Sequence, residues 1–170
     1  SPHRRTILKR SPERQRWAAP APAMPTNPNP PKAYFLTWTT YGTWLRGDPR
    51  GSVVEENRRG VPYAEPNPTL TRRDTASLKH QPVLLDTDAR RIVHESIEET
   101  CAQRGWALHA CSVRTNHVHA VVSANNPPEH VMASLKSWGT RWLRERCGYP
   151  ADDRVWTKHG STRYLFDEPG

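Results

Sequence analysis

Residues 106–123 leave this chain little choice of architecture. Trp106–Val113 and His117–Ser123 are two short runs with strand composition, and only Arg114-Thr115-Asn116 separates them. Two such runs joined by a tight polar turn predict a β-hairpin. The segment before the hairpin predicts a helix over Asp86 to Arg104, because Ala89, Ile92, Val93, Ile97 and Cys101 recur at spacings of three and four. Asp86 suits the N-cap and Gly105 the stop. After the hairpin, Asn126-Pro127-Pro128 reads as a helix start with Asn126 as cap. Val131, Leu135, Trp138 and Trp142 then mark one face of a helix ending near Gly148. Tyr34–Thr40 is dense in aromatic and β-branched residues and predicts an opening strand. A last strand is expected from about Arg154 to Phe166. Strand, helix, strand, strand, helix, strand is the ferredoxin-like order, an α+β antiparallel sheet with two helices packed on one face.

Charge and proline are unevenly spread. The 170 residues carry a formal net charge of +8 and 17 prolines. Residues 1–32 hold eight of those prolines and seven Lys/Arg against one acid, Glu13. With few large apolar residues, this stretch cannot offset its ordering entropy, and a disordered basic Pro-rich tail is expected there, with the folded domain over 33–170. A basic arm adds sequence-independent attraction to phosphates, or merely solubilises. Gly42 to Pro82 lacks a sustained period; so long a connection is functional or mobile, with short helical turns near Thr71 to Lys79. No apolar run is long enough to cross a membrane, and no apolar stretch follows the basic N-terminal residues as a secretory signal requires. Cys101, Cys111 and Cys147 are odd in number and form no CxxC, which fits a reducing, cytoplasmic setting. A phosphate-cradling G-x-x-x-x-G-K-[ST] loop is missing, which argues against nucleoside-triphosphate hydrolysis.

The sharpest chemical feature is Asn116-His117-Val118-His119. Residues i and i+2 of a strand share a face, so the two imidazoles project together while Val118, Ala120 and Val122 point the other way. Two neutral imidazoles at that spacing suit one divalent ion; the same pattern also arises from ordinary strand histidines. His109 on the neighbouring strand is a third candidate ligand, depending on the turn. The second helix interleaves Lys136, Arg141, Arg144 and Arg146 with Trp138 and Trp142. That composition fits phosphate contact and base stacking, or an amphipathic helix with solvated charges. Arg46, Arg50, Arg58 and Arg59 in the long loop clamp DNA or keep the loop solvated.

Three segments carry a resemblance, in order: YFLTWTTYGTWLRGD (Tyr34 to Asp48), SVRTNHVHAVV (Ser112 to Val122) and HGSTRYLFDE (His159 to Glu168). Together they resemble the HUH-type single-tyrosine transposases of bacterial insertion sequences, including the REP-associated tyrosine transposases, over about residues 33–170. HUH denotes histidine, bulky apolar residue, histidine, here His117-Val118-His119. The resemblance implies that His117 and His119 hold Mg²⁺ or Mn²⁺ with a further oxygen ligand at the scissile phosphate of single-stranded or hairpin DNA. A tyrosine hydroxyl then attacks, leaving a 5′-phosphotyrosine and a free 3′-OH. Arg114, Asn116, Lys136, Arg141 and Lys158 are the candidate DNA contacts, and a homodimer is implied.

In the family the nucleophilic tyrosine follows the third block, on a helix, and the sequence reaches Gly170 there. Tyr164 is the tyrosine inside the matching block and the candidate nucleophile of this chain, although its position corresponds to a strand. The expectation is a chain that binds metal and DNA while cleaving poorly or not at all. Two other readings remain: a non-catalytic DNA-binding remnant or repressor, and a zinc hydrolase on His117, His119 and His109.

Overall fold

The computed structural model describes residues 31–50 and 65–166. The tail expected over 1–32 lies outside them up to residue 30, as do Arg58 and Arg59. All elements belong to the unit Pro31–Gly170. They run β1 (Ala33–Thr39), α1 (Pro68–Ala76), α2 (Thr87–Arg104), β2 (Ala107–Val113), β3 (His117–Ser123), α3 (Pro128–Cys147) and β4 (Ser161–Leu165). The sheet order is β2-β3-β1-β4 with every neighbouring pair antiparallel. This is the ferredoxin-like α+β arrangement that the element order predicts.

Local chemistry explains the boundaries of α2. The Asp86 carboxylate accepts from the Ala89 N–H at 2.8 Å, and Gly105 ends the helix in the left-handed region, at φ 67°. The start of α3 differs from the sequence reading. Pro127 is the N-cap and makes no side-chain cap bond, whereas the Asn126 carbonyl accepts the Trp106 indole N–H at 3.0 Å. A buried indole donor needs a partner more than an exposed helix end does, since water satisfies the latter. The last strand is also shorter than expected. Val155 and Trp156 are buried in the core, Thr40 and Trp156 form an isolated bridge, and regular pairing begins only at Ser161.

The alternation along the sheet divides its two faces. Leu36 and Trp38 of β1 and Val118, Ala120 and Val122 of β3 are buried, and join Ile92, Val93 and Ile97 of α2 with Val131, Met132 and Leu135 of α3 in one cluster. Phe35, Thr37, Thr39, His117, His119 and Val121 alternate with them and are half-buried on the face turned away from α2 and α3. Gly160 admits β4 to the sheet. A Cβ there would strike the Met132 thioether and stand 2.7 Å from the Thr37 carbonyl oxygen. Among the described residues no helix is long and apolar enough to cross a membrane.

Candidate active site

His117 and His119 sit on central strand β3, directly across from Thr39 and Thr37 of β1. Their ring centroids are 4.8 Å apart at an interplanar angle of 68°. Each ring is fixed through Nδ1. The Asn116 side-chain oxygen accepts from His117 Nδ1 at 2.8 Å, and the Thr37 hydroxyl bonds His119 Nδ1 at 2.8 Å. A donated Nδ1–H selects the tautomer with a lone pair on Nε2, as the outer partners of metal-bound histidines do. Phe35 stacks on His119, with centroids 5.4 Å apart and planes 17° apart.

Electrostatics keep both rings neutral. Burial foremost, then the neighbouring His119 and the cations of Arg114 and Arg50, pulls His117 below the ordinary imidazole range. Burial and Arg114 do the same for His119. The neutral form is the ligating form. The loop after β1 braces this end of the sheet: the Asn116 carbonyl accepts from the Thr40 N–H at 2.9 Å and from the Thr40 and Thr43 hydroxyls. Arg50 is held by Asp48 through its Nε at 2.8 Å and lies 4.9 Å from the Trp44 ring centroid.

The remaining sequence candidates fall in different places. Arg114, in the β2–β3 turn, is exposed and donates its backbone N–H to the His117 carbonyl at 2.8 Å. Lys158 is exposed in the approach to β4, next to Thr157, whose hydroxyl meets that of Thr39 at 3.1 Å. Asn116 serves His117 as an orienting group. Lys136 is turned inward, its ammonium donating to the Thr157 carbonyl at 2.7 Å and the Lys158 carbonyl at 3.3 Å, and burial lowers its pKa. Arg141 lies on α3, across the sheet from the histidines. It pairs with Glu145 at 2.7 Å and covers the Trp138 ring at 5.0 Å.

His109 and Tyr164 are not brought to the pair. A register irregularity between Leu108 and Ala110 leaves His109 bonded to the Ser123 hydroxyl at 2.7 Å. Ser123 lies four residues beyond His119 along β3, about 13 Å at the usual strand rise. Among the described residues no three His, Cys, Asp or Glu side chains group as metal ligands, so the three-imidazole zinc arrangement does not form. Tyr164 pairs with Tyr34 across β1 and β4, which puts it on the helix-side face, and the two rings meet edge to face at 5.7 Å. Tyr41 stacks on His80, and its hydroxyl accepts from the Lys79 N–H at 2.9 Å. Among the described residues no tyrosine hydrogen-bonds or stacks on either imidazole. Thr37 and Phe35 join the site through strand pairing rather than through any local motif. Their period-two placement in β1 is visible in the sequence, but the register that sets them against His119 is not.

Paired imidazoles on the sheet face turned away from α2 and α3, on a ferredoxin-like antiparallel sheet, define an α+β protein with its candidate site on that face. The family described as "Transposase IS200 like" matches residues 76–165, and the chain belongs to that family. No curated protein sequence matches it. Among solved structures, a candidate transposase from Deinococcus radiodurans R1 is 13% identical, with 78% of each chain covered and a TM-score of 0.50, and shares the fold. A REP-associated tyrosine transposase bound to a REP hairpin is 11% identical, with 86% of this chain and 64% of that chain covered and a TM-score of 0.45.

Proposed function

We propose that this transposase-family chain holds single-stranded or hairpin DNA against His117 and His119, with a divalent ion, Mg²⁺ or Mn²⁺, for strand cleavage and rejoining. The observation that carries the reading is the pair itself. Both Nδ1 atoms are occupied by polar partners, which leaves both Nε2 atoms for an ion on the open face. His117 and His119 would hold such an ion as imidazole ligands, with oxygen atoms as its remaining donors. When bound, the ion supplies Lewis-acid polarisation of a phosphate oxygen. Thr37 and Asn116 hold the rings in register, Phe35 buttresses His119, and Arg114 offers a cation to the backbone.

The nucleophile comes from outside the described residues, because Tyr164 lies on the other face of the sheet. On this reading the described residues bind metal and DNA, and covalent adduct formation requires a tyrosine from outside them. Two copies pair in the active assembly, which light scattering tests; the exposed Tyr164 and Leu165 on edge strand β4, with Phe166 just beyond it, favour such pairing. The free cysteines Cys101, Cys111 and Cys147 support a reducing, cytoplasmic setting.

The test combines Mn²⁺ binding with an adduct assay on a single-stranded oligonucleotide. Mn²⁺ uptake should fall at least tenfold in His117→Ala without loss of the fold. Wild-type uptake that survives this substitution overturns the reading. Efficient adduct formation mapped by mass spectrometry to Tyr164 overturns the placement of the nucleophile.

A further inference from the structure

The strand registers sort the open face into rows. Ser112, His119, Thr37 and Ser161 stand side by side across β2, β3, β1 and β4, and the next row is Ala110, Val121, Phe35 and Arg163. Successive rows lie about 7 Å apart. We infer that Phe35 and Arg163 form a nucleotide subsite one row from the histidine pair, taking the base and the phosphate of a nucleotide that flanks the one at the ion. The inference rests on the reading of the pair given above.

Three observations carry it. Phe35 is half-buried and already stacked on His119 at 5.4 Å, so a base laid on Phe35 extends an existing aromatic stack. Arg163 stands directly across from Phe35, is exposed, and has no ion pair or hydrogen bond from its side chain among the described residues. No acidic residue occupies any position of β1–β4 on this face, so Arg163 stands there as a cation with no carboxylate beside it on the strands. A base and a phosphate from one nucleotide match this pairing of an apolar platform with an unengaged guanidinium.

The subsite is tested without metal, in EDTA, by fluorescence anisotropy of a labelled 15-nucleotide thymidine oligomer on the full chain across a salt series. Arg163→Ala should weaken binding and lower the slope of log affinity against log salt by about 0.7, the value for one phosphate on a single strand. Phe35→Leu should weaken binding roughly tenfold, as loss of one stacked base does, and leave the slope unchanged. Arg163 is exposed, so its variant folds even if Phe35→Leu perturbs the sheet, and Arg163→Lys should restore the slope. Wild-type affinity and slope in Arg163→Ala overturn the subsite, and leave the pair standing if His117→Ala still abolishes Mn²⁺ uptake. Retained Mn²⁺ uptake in His117→Ala, with binding still lost in Arg163→Ala, overturns the reading of the pair and supports a nucleotide site on this face.

Discussion

The two faces of the sheet are built from the same strands and answer to different physics. On the helix side, Leu36, Trp38, Val118, Ala120 and Val122 are almost fully buried and close-packed against α2 and α3. On the other side, one residue along each strand, Phe35, Thr37, His117 and His119 are half-buried and linked by polar bonds and a ring stack. Volume governs the first face, and orientation of donors governs the second. A single-residue slip of register would exchange the two sets, so the packed face is what holds the imidazoles outward.

The largest test of this contrast is Leu36→Ala. A buried leucine replaced by alanine should cost about 2–5 kcal/mol, read by urea denaturation. An equal cost for Thr37→Ala next to it would break the distinction. Gly160→Ala should follow at about 1–3 kcal/mol, because the methyl group meets Met132 and the Thr37 carbonyl where β4 docks. Thr37→Val should leave the melting temperature nearly unchanged while weakening Mn²⁺ binding about 10–100-fold, since only the partner of His119 Nδ1 is removed.

A smaller effect comes from protons. Both imidazoles should titrate below 6.5 in the metal-free protein by histidine-resolved NMR. The unfolded chain then binds more protons than the folded one, so the stability contributed by the neutral rings is present above 6.5 and falls as pH drops through the folded values. Titration at 6.5 would show that the face is wetter than the side-chain packing implies. Least of all, Tyr164→Phe should leave Mn²⁺ uptake unchanged and shift stability by less than about 0.5 kcal/mol, its ring being 50% exposed.

How much of this was legible in the sequence depends on the range of the interaction. Asp86 and Gly105 act within one turn of α2, and their roles follow from local pattern alone. The outward projection of His117 and His119 needs only the period of a strand. Asn126 departs from its local cap pattern because its partner, Trp106, is twenty residues away and competes with the cap. Lys136 looked like a surface cation, yet it reaches the carbonyls of Thr157 and Lys158 across the gap between α3 and the chain entering β4. Thr37, Phe35 and the face taken by Tyr164 depend on β1–β3 and β1–β4 registers that no local pattern encodes.

The pairing of Ala33 with Leu165 ties the first strand to the last. During synthesis β1 therefore leaves the ribosome with Tyr34, Phe35, Leu36 and Trp38 and waits for both of its neighbours, β3 and β4, to be made. Such distant closure slows folding and keeps an aromatic segment uncovered meanwhile. Nascent-chain yield should accordingly respond to chaperone supply more than the thermodynamics of the finished domain would suggest.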